Sequence, residues 1–593
     1  MINQKSIAVL PFDNLSSDPE NEYFSDGMTE EIINALSKIN GLKVTARTSS
    51  FVFKKVKKDV RHIGNELGVS LVLEGSVRKA GNSVRITTQL IRTDNGFHIW
   101  SENFDRKLDD IFALQDEISL LIADKIRETY GHLRIEGHLV EASTSNIEAY
   151  NVYLKARFNH LKWDGDGIRK AIELYTQCIE MEPAYSSPYF GLAYCFAMAG
   201  SWGPDAALLD LAEQNIKEGF RLNAQSELGY YAQATLSFWG HWDFQKAQEN
   251  YIKAIQLNPK YTEAEEGLIE LYTAVGDFDN ALQHVDQILT INPLSTNHFF
   301  TKANIFYLMH DFGQAEYFTD QALHLDPGFT HAIALKQLCL IHNGKQKELT
   351  EYLKSTPLAE RPQACQLLYD LVNETKNIDN EVIEKVVREE EIRTLFPWNL
   401  FINAQANRIS DAITELVSCV DLKVGQYVNF KNTPLLLPLH NEPEFQRLVT
   451  EKLQGTYAHI NLVASREDKA PALSKEEAAP YIKRLTELME EKDAYLDSGI
   501  TLRSTAQMID LSPNKLSYLI NEFLGINFND YINGYRLKAF QEKATNPANS
   551  HLTLLGLAYE SGFTSKSVFN DFFKKKTGLT PKAWVKKTIA DKN

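Results

Sequence analysis

At 593 residues the chain is too long for one hydrophobic core, and at roughly 150 residues per domain it divides into three or four units. Its 44% hydrophobic and 24% charged residues are those of a folded globular protein, which sets aside a disordered or fibrous chain. The net charge of −16 argues against general polyanion binding, but residues 501–593 carry 13 Lys plus Arg against 7 Asp plus Glu, while the first 500 carry 49 against 71. Only the C-terminal end is therefore built to approach phosphates.

The opening MINQKSIAVLPF has one lysine and an apolar run of strand length, without a signal-peptide core or a cleavage site. No stretch reaches the roughly 18 uncharged apolar residues of a membrane span, so a cytoplasmic location and no membrane partner are expected. Cys178, Cys195, Cys339, Cys365 and Cys419 are scattered without CxxC spacing, which predicts buried reduced thiols, no metal and no cofactor.

Residues 5–10 read as a buried strand. A helix follows, in which Met28, Ile32, Ile33, Leu36 and Ile39 recur at helical spacing. A strand at 42–46, a helix near 59–67 and a strand meander come next, with turns at Ala80-Gly81-Asn82 and Asp94-Asn95-Gly96. A helix from Leu114 to Tyr130 closes an α/β domain. The segments IAVLPFDNLSSDPENEYFSDGMTEEI, VLEGSVRKAGNSVRITTQLI and HIWSENFDR resemble the amino-terminal domain of TolB-like proteins, which is also fused to bacterial cyclases and regulators. That resemblance carries no catalytic constellation with it.

From Asn146 strand signals give way to a repeat. Pro259, Pro293 and Pro327 stand 34 residues apart, and Asp243, Asp277 and Asp311, Phe244, Phe278 and Phe312, and Ala247, Ala281 and Ala315 keep the same register. Alanine suits the close approach of two helices, the aromatic fills between them and proline stops the second helix. This is the tetratricopeptide pattern. Five units cover roughly 150–330, with degenerate helices beyond and PLLLPLHNEPEFQRLV as a terminal cap. Such a stack offers a concave face to a protein or peptide partner.

Residues 464–480 read as a linker running into a helix from Tyr481 to Tyr495. Beyond it the chain repeats itself: TLRSTAQMIDLSPNKLSYLINEFLG lies over TLLGLAYESGFTSKSVFNDFFKKKTG, pairing Ala506 with Ala558, Ser512 with Thr564, Leu516 with Phe569, Gly525 with Gly578 and Tyr531 with Trp584. Each copy has a short helix, a turn, a Ser or Thr to cap a second helix, and a glycine to end it, which is a helix-turn-helix twice over. The stretch LGLAYESGFTSKSVFNDFFKKKTGLTPKAW, with YINGYRLKAF and its Arg536 as the linking helix, resembles the AraC-type DNA-binding domain.

The resemblance implies that the second helix of each half enters the major groove, with side chains of its first two turns facing base edges. The DNA-binding candidates are Asn514, Lys515, Ser517, Tyr518 and Asn521 in the first half, and Ser565, Lys566, Ser567, Asn570 and Lys574 in the second. Tyr518 and Asp571 stand where the family often has arginine, and Asp571 is expected to point aside or to pair with Lys575. Phe563, Phe569, Phe573 and Trp584 read as core.

The expected fold class is thus multidomain. It comprises a TolB-like α/β domain (1–135), an all-α tetratricopeptide solenoid (146–345), degenerate helical repeats with a cap (346–460), a linker (464–480) and an all-α double helix-turn-helix domain of AraC type (481–593). The expected function is sequence-specific transcription regulation on double-stranded DNA, with the first two domains as signal input and a homodimer left open. No phosphate-binding, metalloprotease, hydrolase or dinucleotide motif is present, so no catalytic residue is named. The rival reading is a tetratricopeptide scaffold or adaptor without specific DNA binding.

Overall fold

The computed structural model describes residues 3–590 except 19–20, 136–137, 141–142, 163–164, 204, 376–377, 389–393 and 454–473. In the N-terminal domain β1 (Asn3–Val9) runs between two parallel neighbours and buries Ile7, Ala8 and Val9 completely, as a central strand covered on both faces must. β2 (Asp13–Asn14), α1 (Glu22–Ser37), β3 (Lys43–Val44), α2 (Arg47–Phe51) and α3 (Val60–Leu67) follow. Then come β4 (Val69–Ala80), β5 (Ser83–Arg92), β6 (His98–Lys107) and α4 (Ile111–Tyr130). The sheet order is β3-β1-β4-β5-β6, with β2 pairing β4 off this path. The meander β4-β5-β6 is antiparallel, its tight turns set by Gly81 and Gly96 at φ 57° and 75°.

The sequence pattern located these strands and the helices around them. It missed β2 and α2, elements of 2 and 5 residues that are too short to show a period. Helix α4 also starts one turn before the expected Leu114, since Ile111 joins Leu114, Ile118, Ile122 and Ile126 on its buried face.

From Ile147 antiparallel helix pairs stack into a solenoid that runs to Lys452. The recurring aspartates have a concrete task. Asp243, Asp277 and Asp311 each cap the second helix of a pair, their side chains accepting the backbone N–H of Lys246, Asn280 and Gln314. Ala247, Ala281 and Ala315 are fully buried where the paired helices touch. Pro259, Pro293 and Pro327 follow Asn258, Asn292 and Asp326, the last residues these helices can hold. One irregularity has no counterpart in the period: the helix Glu227–Thr235 ends in a π turn, Leu236–Gly240. The 3₁₀ segment Pro434–Leu439 and the helix Pro443–Lys452 close the stack, burying Leu435, Leu436, Leu439, Phe445 and Leu448.

The N-terminal domain is seated on this solenoid. Ser49 N–H donates to Asn292 Oδ1 at 2.9 Å, Leu294 N–H to Ser49 Oγ at 2.8 Å, and Lys260 Nζ to Leu42 O at 2.7 Å. Arg157 bridges Glu30 of α1 (3.0 Å) and Glu263 of the solenoid (3.1 Å), and a single hydrophobic cluster runs from the sheet into the repeats. None of the five cysteines is in a disulfide, and only Cys419 is partly exposed.

Candidate nucleic-acid interface

The C-terminal module starts with the helix Lys475–Glu490, which lies six residues earlier than the expected 481–495. The reason is a capping box: Ser474 Oγ accepts Glu477 N–H, and Glu477 in turn accepts Ser474 N–H. Residues 475–480 of the expected linker are accordingly helical, while 464–473 lie outside the described residues. Two compact cores follow. One gathers Leu485, Leu502, Leu516, Leu519, Ile520 and Phe528, and the other Leu537, Phe540, Leu557, Phe563, Phe569 and Phe573, with Trp584 half-buried against the latter.

The long helix Phe528–Ala544 joins the halves, and its Arg536 explains why arginine stands there. Nε donates to Tyr495 O and Nη2 to Asp497 O, each at 2.8 Å, tying the entry loop to the linking helix. Burial holds this guanidinium below its usual range, at about 10. Gly562, at φ 90°, passes so close that a Cβ would come within 2.5 Å of Tyr495 O, so the second turn accepts only glycine.

The two second helices are Pro513–Leu524 and Lys566–Thr577, each closed by a left-handed glycine, Gly525 and Gly578. Ser512 caps the first, as the pairing of copies implied. The second is capped by Ser565 and not by Thr564, its aligned partner: Ser565 Oγ accepts Val568 N–H at 3.3 Å and lies 3.2 Å from Ser567 Oγ. Both serines were expected to face outward, and in this structure each is half-buried at the start of the helix. Lys566 and Lys574 are exposed and Asn570 is half-buried.

In the first half the placement departs from expectation. Asn514, Ser517, Tyr518 and Asn521 stand at i, i+3, i+4 and i+7, on one face of the helix. That face is turned to the N-terminal domain. Arg127 Nη1 donates to Asn514 Oδ1 at 2.7 Å, Ile135 N–H to the same oxygen at 3.2 Å, and Asn514 Nδ2 to Ile135 O at 2.9 Å. The Tyr518 ring meets His132 edge-on, centroids 5.8 Å apart. Asn521 Oδ1 lies 2.5 Å from where a Cβ on Gly131 would stand. Ser517 is fully buried and its Oγ has no hydrogen-bond partner, while Lys515 alone of the five is exposed.

The contact extends along α4. Leu502 N–H donates to Glu128 Oε1 at 2.9 Å, Arg503 pairs with Asp124 at 3.0 Å, and Asn529 Nδ2 donates to Thr129 Oγ1 at 3.2 Å. Arg127 is 1% exposed and sits between Asp124, at 2.5 Å, and Asn514. Burial draws its affinity for a proton down while Asp124 opposes the shift. Asp571 is exposed, and Lys575, the neighbour expected to pair with it, pairs instead with Asp530 at 2.9 Å.

Among the described residues no helix is long and apolar enough to cross a membrane, and no group of three His, Cys, Asp or Glu side chains is arranged to hold a metal ion.

Comparison with known proteins agrees with this layout. Residues 505–587 match the model of a helix-turn-helix domain, and residues 3–121 match that of the HilA/YgeH-like transcriptional regulator, second domain. A Rhizobium meliloti (strain 1021) protein named as an adenylate cyclase is 42% identical over 190 residues, 32% of this chain and 32% of its own length. The transcriptional regulator HilA of Salmonella typhimurium is 24% identical over 314 residues, 50% of this chain and 52% of its own. The regulatory protein PocR of the same organism is 27% identical over 105 residues, 18% of this chain and 34% of its own. The chain thus spans between a third and about half of the length of the curated relatives it matches. It carries an AraC-type helix-turn-helix domain at its C-terminal end, behind a tetratricopeptide-like solenoid and an N-terminal domain similar to the second domain of HilA-like regulators.

Proposed function

We propose that the protein is a sequence-specific, DNA-binding transcription regulator of AraC type whose N-terminal domain and solenoid govern access to its first reading helix. The observation that carries this reading is the pair of capped helix-turn-helix units in residues 501–593, which are net positive while the first 500 residues are net negative. Asn514, Lys515, Ser517, Tyr518 and Asn521 form one reader, and Ser565, Lys566, Ser567, Asn570 and Lys574 the other. Asparagine reads adenine, while lysine reaches guanine or phosphate. Two readers in one module meet two successive major-groove segments about one helical turn apart.

In the closed arrangement the first reader is spent on the N-terminal domain. The carboxamide of Asn514 cannot serve Ile135 and Arg127 while reading a base, so DNA engagement requires α4 to withdraw. The apparent affinity then falls by the fraction of molecules that are open. The solenoid's concave face takes the signal, a protein or peptide partner, in a cytoplasmic protein that acts without enzymatic chemistry. The regulator-type domains support that last reading, and the overlap with the protein named as a cyclase leaves two thirds of that protein uncovered. Pairing as a homodimer fits the same scheme.

A scaffold without specific DNA binding is favoured by one observation, the burial of the first reader's face. Selection of bound duplexes from a random pool with the full chain, followed by titration in rising salt, separates the two. A regulator selects a motif and loses affinity steeply with salt, whereas a scaffold does neither.

A further inference from the structure

The concave side of the solenoid encloses a cavity of about 980 Å³, at the large end of what small-molecule sites occupy. Its walls are aromatic. The π turn at 236–240 places Phe238 and Trp239 side by side, centroids 4.8 Å apart, and Trp239 stacks on Trp202 at 6.3 Å and 25°. Phe300, Phe396 and Tyr427 also face this space, the last two from the degenerate repeats beyond residue 345. π turns are rare and gather at functional positions. This one carries both Phe238 and Trp239 to the wall of the same hollow.

The carboxylates, guanidinium and imidazoles of the lining are paired or held neutral, with one exception. Glu360 accepts Leu395 N–H at 2.6 Å and Trp398 Nε1–H at 2.9 Å. Asp166 is paired with Arg169. His160 and His331 are held neutral by burial, the latter down at about 4. Glu270 is the exception. It lines the wall with its carboxyl hydrogen-bonded to the Trp239 indole, and no cation among the described residues acts on it. The nearby carboxylate, Glu266, is occupied by His298 and adds negative charge. Burial and that neighbour push Glu270 up to about 8, as befits a carboxyl that lacks a counter-ion.

We propose that this cavity binds a small organic cation, an amine or ammonium carried on an aromatic or other apolar body, with the charged end at Glu270 and the body among Trp202, Trp239 and Phe300. The ring faces attract the cation through their quadrupoles while the carboxylate supplies the opposite charge. An anion meets the carboxyls of Asp166, Glu270 and Glu360 and no positive group but the paired Arg169, and a neutral body gains only the rings. The assignment does not depend on DNA binding.

The test is calorimetric titration of the full chain, without DNA, using 2-phenylethylammonium, 2-phenylethanol and phenylacetate as probes. The ammonium is expected to bind with a dissociation constant on the order of 1 mM or tighter, about tenfold below the alcohol, with phenylacetate weakest. Glu270→Gln, whose melting curve reports that it is folded, brings the ammonium to the level of the alcohol. Trp202→Ala, at a half-exposed position, weakens the ammonium and the alcohol alike. Equal binding of ammonium and alcohol by the unaltered chain overturns the proposal, as does undiminished ammonium binding by folded Glu270→Gln or no heat up to about 10 mM.

Discussion

Arg127 and Asn514, 387 positions apart, share a hydrogen bond of 2.7 Å, and through it the last buried turn of α4 occupies a side chain that the proposed function assigns to base reading. Breaking this contact has opposite consequences on its two sides. Removing Asn514 takes a partner from α4 and a reader from the module. Asn514→Ala in the full chain is therefore expected to speed hydrogen exchange across residues 124–135 and to weaken the selected duplex by about 1–3 kcal/mol. Faster exchange without lost DNA affinity would place Asn514 in the interface alone.

Among the described residues Lys566, Asn570 and Lys574 make no hydrogen bond to the N-terminal domain, so their substitution tests the proposed base reading directly. Lys566→Ala or Asn570→Ala is expected to cost about 1–3 kcal/mol on the selected duplex and much less on random DNA. Lys574→Ala, further along the helix, should weaken both equally and lower the slope of log affinity against log salt by about one. Band-shift titration at three salt concentrations distinguishes the two patterns. Equal losses on both DNAs for Lys566 and Asn570 would assign them to phosphates.

Gly131 ends α4 at φ 97° and ψ −174°, a conformation open essentially to glycine alone, and it touches Asn521. Gly131→Ala therefore strains the backbone and pushes Asn521 away. The expected outcome is weaker docking of the C-terminal module, read as faster hydrogen exchange across residues 513–524, with the melting of the solenoid unchanged.

Glu31 lies in α1 beside Glu30, and burial together with that neighbour raises it to about 7. A carboxyl raised in the folded state holds its proton where the unfolded chain has released it. Its contribution to stability is thus present at low pH and is lost as pH climbs from about 4.5 to 7. Glu31→Gln should leave the melting temperature at pH 4.5 nearly unchanged and raise it at pH 8. A variant that melts no higher than the unaltered chain at pH 8 would refute this.

Asp311 accepts Gln314 N–H at 3.1 Å and begins the second helix of its repeat. Asp311→Ala is expected to cost about 1 kcal/mol, measured by urea unfolding, with little effect on DNA affinity.

Much of this architecture was legible in the residues because its causes are local. The 34-residue recurrence of Asp, Phe, Ala and Pro states the cap, the packing and the stop of each helix pair, and Ser512, Gly525 and Gly578 punctuate the reading helices in the same way. What escaped has causes that lie elsewhere in the chain. Ser565 displaces Thr564 as cap by the local path of one turn. Tyr518, a DNA-contact candidate, meets His132 across domains. The aromatic cavity draws its walls from several repeats, and nothing in a single period marks Glu270 as their meeting point.

The most direct test of the regulator reading and its closed form is the affinity of the full chain for its selected duplex with and without Arg127→Ala. This substitution lies in the N-terminal domain and leaves both readers intact. Losing the bonds to Asn514 and Asp124 raises the open fraction, and the account predicts about tenfold tighter binding by Arg127→Ala, with the motif unchanged. Binding no tighter than that of the unaltered chain, by a variant whose melting curve shows it folded, would contradict it.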